Sequence, residues 1–196
     1  MSTYHRLSKS FEKALRLPLT EHSRYVLLSD CHRGTGRAND NFVKNEYLFL
    51  AALKYYYSRG FTYLELGDGE ELWENRFFSH ITETHYQSYE LMAKYYREER
   101  FYAIYGNHDM VKKYPHFAKK QCQTCYCEHP HEEQTLFPGI TFYPGIILQD
   151  VRQKRDIYLT HGHQADLLNS TFWWLSRFLV RYLWRPLENL GVPDPT

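Results

Sequence analysis

The chain has 196 residues, 24 Lys+Arg against 23 Asp+Glu and a formal net charge of +1. This balance argues against a strongly basic nucleic-acid binder and against an acidic solvating chain, and the length suits one domain with a sizeable core. No run approaches the roughly 20 apolar residues of a membrane span, and "MSTYHRLSKSFEKALRL" lacks a signal-peptide core, so a cytoplasmic protein is expected, its four cysteines serving as thiols or metal ligands.

In chain order, "RYVLLSD" reads as a buried strand ending at Asp30. "DNFVKNEYLFLAALKYYYSRG" follows as an amphipathic helix, with Asn39 or Asp40 as N-cap and Gly60 as its stop. "FTYLELGD" is a second strand, ending at Asp68, and "ITETHYQSYELMAKYYREE" a second helix. "RFYAIYGNHD" is a third strand leading into Asn107, His108 and Asp109. "CQTCYCEHPHEE" is expected to be a loop with reduced thiols, although Cys122, Cys125, Cys127, His129 and His131 lie close enough for a zinc knuckle. "LFPGITFYPGIILQD" reads as a hairpin broken by Pro and Gly, and "DIYLTHG" as the last strand. The alternation predicts an α/β protein with a mostly parallel sheet covered on both faces.

Each strand ends in a polar cluster, where open α/β sheets place their ligand sites. Singly, Asp30 with His32, Asp68 or Asn107 are ordinary turn residues. Together, Asp30, His32, Asp68, Asn107 and His161 bring carboxylate, amide and imidazole groups to one sheet edge, a donor set suited to Mn, Fe or Zn. One carboxylate shared by two ions about 3.5 to 4 Å apart is the arrangement used for displacement at phosphorus.

The blocks "SDCHRG", "LGDGEE", "YGNHD" and "LTHG", from Tyr25 to about Asp166, resemble the calcineurin-like metallophosphoesterases. Within them the chain looks most like the branch of UDP-diacylglucosamine pyrophosphohydrolases and related phosphoesterases. The resemblance implies a sandwich of mixed sheets flanked by helices and a dinuclear centre, Mn favoured, that hydrolyses a phosphoester or pyrophosphate. Asp30 and His32 would bind the first metal, Asp68 would bridge, and Asn107 and His161 would bind the second. His108 would serve the leaving group as proton donor or charge stabiliser, its ring oriented by Asp109.

That branch has a lone ligand histidine in the "LTHG" block and a later G-H-x-H block, which is absent between His163 and Thr196. His161 then stands as the lone ligand, and a C-terminally incomplete chain of uncertain activity is expected. The other reading makes His161 and His163 the terminal H-x-H pair. On the first reading, residues 1–166 form the phosphoesterase core and 167–196 begin a helical insertion. In that insertion Arg177, Arg181 and Arg185 share one helical face, and Arg177 and Arg181, with Arg33, are candidate substrate contacts. The apolar run 172–184 leaves peripheral membrane contact open, so the expected partner is a phosphorylated small-molecule or lipid-linked substrate, with no specific nucleic acid. The alternative function is a catalytically impaired or non-catalytic remnant that binds a phosphorylated ligand or a partner.

Overall fold

Apolar runs separated by amphipathic helices fold into two main sheets and one two-stranded sheet in the computed structural model, which describes residues 2–37, 40–127, 132–166, 171–184 and 186. Strands β2 (Tyr25–Leu28), β3 (Thr62–Leu66), β4 (Phe101–Ile104) and β7 (Phe142–Tyr143) form a four-stranded parallel sheet in that order. Strands β1 (Leu15–Leu19), β8 (Ile146–Asp150) and β9 (Arg155–Leu159) form a second, mixed sheet, with β8 parallel to β1 and antiparallel to β9. The protein is therefore mixed α/β, with more antiparallel character than a mostly parallel sheet implies.

Alternation along β3 decides which layer each side chain enters. Leu64 joins Ile104, Leu17, Ile146 and Leu148 in a core shared by the two sheets, while Tyr63 joins Phe101, Ala103 and the helices on the other face. That helical layer comprises α2 (Glu46–Tyr57), α3 (Phe78–Thr84), α4 (Tyr86–Arg97) and α5 (Pro115–Gln121). Leu50, Leu53, Ile81, Tyr89, Met92 and Phe117 bury its inner side.

Several elements differ from expectation for identifiable reasons. The first helix begins at Glu46, because Asp40 is occupied elsewhere: its carboxylate accepts from the Gly36 and Phe42 amides and from His85. Gly60 does end that helix in the left-handed conformation, and Asn39 lies outside the described residues. The second helix is two, broken at His85, whose ring lies between Asp40 and Glu46 at 2.8 and 3.0 Å. Residues 136–150 do not form a hairpin. Pro144 and Gly145 carry the chain from one sheet to the other, and a Cβ at Gly145 would come within 2.6 Å of the Tyr158 ring. The hairpin is β8–β9.

The cysteine segment is also a hairpin rather than a loop, β5 (Thr124–Cys127) against β6 (Glu132–Thr135). Cys122 and Cys125 belong to the apolar core, and burial pushes the Cys122 thiol up to about 12. His129 and His131 lie outside the described residues. Helix α1 (Thr3–Glu12) is capped by Ser2, and Arg6 donates from it to the Gln164 carbonyl at 2.8 Å. At the other end, α6 (Trp173–Leu179) runs into a π-helical turn over Val180–Trp184. Among the described residues no helix is long and apolar enough to cross a membrane.

Candidate metal centre

Asp30, Asp68 and Asn107 follow the C-terminal ends of β2, β3 and β4, and His161 follows β9. The site therefore straddles the edges of both sheets. The strand pairing continues into the loops: the Asp30 and His32 amides donate to the Gly67 and Asp68 carbonyls, at 3.1 and 2.9 Å. Asp30, His32 and Asp68 all have positive φ, at 56°, 47° and 48°. Left-handed backbone at a residue other than glycine costs of order 1 to 3 kcal/mol and tends to gather where function fixes the side chain.

Two donor clusters share Asp68. One is His32, Asp68 and His108, the other Asp30, Asp68 and His161. His161 Nε2 lies 3.0 Å from Asp68 Oδ2 and 3.1 Å from Asn107 Oδ1, so Asn107 borders the second cluster. His32 Nε2 lies 3.9 Å from both Asp30 Oδ1 and Asp68 Oδ2. Donors about 2.0 to 2.2 Å from one ion stand roughly 3 to 4 Å apart, so these spacings suit common ligands.

Neighbouring groups set the ring tautomers. His161 donates from Nδ1 to the Leu66 carbonyl at 3.0 Å, which leaves Nε2 facing Asp68 and Asn107. Burial would lower the His161 pKa, but the bond to Asp68 prevails and lifts it to about 9. Burial likewise opposes ionisation of Asp68, while the hydrogen bond from His161 holds its carboxyl down at about 2.

Glu71, which the sequence reading did not assign, organises the other two rings. Its Oε2 accepts from His32 Nδ1 at 3.1 Å and from His108 Nδ1 at 2.6 Å. Burial opposes its charge, yet the His108 and His32 bonds hold it at about 2. Trp73 stacks on the His108 ring, with centroids 4.0 Å apart and planes 19° apart. The only sequence signal for Glu71 was its place in "GDGEE", and nothing local links it to residues 32 and 108.

Four expectations change. Asp109 does not touch the His108 ring; it accepts from the Gly106 and Gly69 amides and from Lys112 Nζ at 2.6 Å, and Glu71 holds the ring instead. Asp30 groups with His161, and His32 with His108, a different division of the donors. Arg33 is not a substrate contact: it is fully buried and paired with Glu65 and Glu70 at 2.5 and 2.9 Å. Arg181 is bound to the protein, donating to the Trp73 and Leu72 carbonyls at 2.8 and 3.0 Å. Arg177 lines a cleft, and Arg185 lies outside the described residues.

Among the described residues, His161 joins a donor cluster and His163 does not. Gly162, at φ 93°, turns the chain between them, and the His163 ring is buried, its Nδ1 lacking a partner among the described residues. Burial and then the His161 charge lower the His163 pKa to about 4. Cys31, between Asp30 and His32, packs on the helical core and so points away from the donor atoms, although the backbone on either side is left-handed rather than extended.

No family model, curated protein or solved structure matches the chain.

Proposed function

We propose that the chain is a metal-dependent phosphoester hydrolase of the calcineurin-like metallophosphoesterase type, with a dinuclear centre and Mn favoured. The observation that carries this reading is the pair of donor clusters joined by one buried carboxylate, Asp68. His32 would face one ion, with His108 beside it as the proton donor, and Asp30, His161 and Asn107 the other, with Asp68 between them. Bound cations would supply Lewis acidity to a water nucleophile and to the phosphoryl oxygens. The chain's own residues prepare that chemistry. Glu71 fixes His32 and His108 with both Nδ1 atoms donating, so each ring presents Nε2 to the site. His108, held between Glu71 and the Trp73 face, is placed to give a proton to a leaving oxygen. The exposed apolar side chains Trp174, Phe178, Tyr182 and Leu183 support a lipid-linked substrate and peripheral membrane contact.

The test is metal content at saturating Mn together with hydrolysis of bis(p-nitrophenyl) phosphate. Near two ions per chain are expected, with both ions and turnover lost in Asp68→Ala. No bound Mn, or turnover indifferent to Asp68→Ala, would overturn the proposal.

A further inference from the structure

The turn that follows Glu71 contains three buried residues, Leu72, Trp73 and Asn75, whose carbonyls share one cation. Arg181, on the π-helical turn far along the chain, donates to all three: from Nε to Trp73 at 2.8 Å, and from Nη2 to Leu72 and Asn75 at 3.0 and 3.4 Å. Among the described residues no other group donates to the Leu72 and Trp73 carbonyls. A buried carbonyl left without a donor is unfavourable, and a guanidinium can serve several at once because its five N–H groups diverge in one plane.

The same turn carries both groups that hold the His108 ring. Glu71 accepts from His108 Nδ1 at 2.6 Å through Oε2, and Trp73 lies against the ring face with centroids 4.0 Å apart. The turn is also closed on itself. Glu71 Oε1 accepts from the Trp73 and Glu74 amides at 3.2 and 3.4 Å, and the Asn75 amide and Nδ2 both donate to the Glu71 carbonyl, at 3.1 and 2.9 Å. One bonded unit therefore grips His108 through two side chains and is tied to Arg181 through three carbonyls. Arg181 itself belongs to neither donor cluster.

We infer that Arg181 is a positioning residue for His108: by fixing the turn from Leu72 to Asn75 it keeps Trp73 and Glu71 against the imidazole, and so keeps the ring aimed at the leaving oxygen. The proton that His108 gives rests on the hydrolase reading above; the hold on its ring does not. Misplacement of a reacting group by about 1 Å, even from a change far from the chemistry, can cost about a hundredfold in rate, so a clamp behind the turn bears directly on turnover.

The experiment compares the full 196-residue chain with Arg181→Met and Arg181→Lys by two measurements. In the metal-free protein, nuclear magnetic resonance of the His108 ring protons, assigned by their absence in His108→Gln, reports the stack, because protons over an indole face are shifted upfield. Arg181→Met should move them toward unstacked positions while the His85 ring, held by Asp40 and Glu46, keeps its own, and Arg181→Lys should recover part of the shift. At saturating Mn, turnover is measured on two diesters that differ in leaving group, diphenyl phosphate and bis(p-nitrophenyl) phosphate. A displaced proton donor harms the more basic leaving group more, so Arg181→Met should lower kcat roughly tenfold to a hundredfold on diphenyl phosphate and less on the nitrophenyl ester, with KM nearly unchanged. In a His108→Gln background the same change should add little, because residues that act as a unit are not additive. Should Arg181→Met fail to fold, Arg181→Gln, which keeps one amide donor group, carries the same comparison. His108 resonances indifferent to Arg181, an equal loss on both diesters, or the full loss repeated in the His108→Gln background would overturn the inference and leave the hydrolase reading in place. A chain that hydrolyses neither diester, yet loses the upfield shift in Arg181→Met, loses the hydrolase reading and keeps the hold on the ring.

Discussion

Glu71→Gln tests how the site holds its rings. The side chain keeps its volume, but one acceptor oxygen becomes an NH2 donor. In the native protein both carboxylate oxygens are used: Oε2 by His32 and His108, and Oε1 by the Trp73 amide at 3.2 Å and the Glu74 amide at 3.4 Å. If the glutamine oxygen stays with the backbone amides, its NH2 meets two Nδ1–H groups. At least one ring must then move its proton to Nε2, the atom that faces Asp30 and Asp68 in His32. The two bonds at 3.1 and 2.6 Å are charge-assisted, a kind worth about 1.5 to 3 kcal/mol each. Removing a group that orients metal ligands typically costs 10- to 100-fold in affinity. Calorimetric Mn titration of wild type and Glu71→Gln, with far-UV circular dichroism to confirm folding, should show a loss in that range. A folded variant that binds Mn with wild-type affinity would refute this account of Glu71.

Three further outcomes follow from other parts of the fold. His85 donates to Asp40 and Glu46, which needs the imidazolium, and those bonds outweigh burial to raise its pKa. The stabilisation is therefore full below the ordinary histidine value of 6.5 and is lost as pH rises through the raised folded value, so thermal melts from pH 5 to 9 should show a decline that is absent in His85→Gln. A Cβ at Gly106 would lie 2.2 Å from Asp68 Oδ1 and 2.6 Å from the Asp68 amide, so Gly106→Ala should displace the shared carboxylate; Mn stoichiometry equal to wild type would contradict this. Arg33→Met leaves Glu65 and Glu70 short of a cation and should cost about 3 to 5 kcal/mol in urea denaturation, whereas a loss under about 1 kcal/mol would show that the pair is not structurally required.

The strand ends were legible because local pattern determines them. Each apolar run stops at a polar residue, and parallel pairing brings Asp30, Asp68 and Asn107 to the same edge. The apolar run before His161 was equally legible as a strand, but it belongs to the second sheet rather than to the one that carries Asp30, Asp68 and Asn107. What stayed hidden depends on partners distant in the chain. "LRLPL" looks unsuited to a strand because Pro18 lacks an amide proton, yet β1 is an edge strand, where that donor is not required on the open side. The break at His85 is invisible to helical periodicity, since it arises from Asp40 and Glu46. Arg33 beside His32 reads as a substrate contact until the fold places it under the loop, over the rings of Phe42, Phe49 and Tyr89.

That buried arginine explains how strained ligand loops stay in place. Its Nη2 reaches Glu65 on β3 and Glu70 beyond Asp68; Lys112 contacts Glu70 and also pairs with Asp109. Asp109 in turn accepts from the amides of Gly69 and Gly106, in the two loops that carry Asp68 and Asn107. Tyr63 and Tyr89 add hydroxyl donors to Glu65 and Glu70, at 2.9 and 2.7 Å. Buried charges of this kind are weak evidence for net stability, because desolvation opposes their attraction, but removing one partner leaves another charge exposed to that penalty. The layer therefore resists piecemeal change. Moving the His32 loop breaks contacts to the Asp68 loop, and moving that loop breaks contacts to the His108 loop. Three left-handed residues, each unfavourable alone, are held by a network whose members fail together, so the geometry of the donor atoms is set from beneath the site.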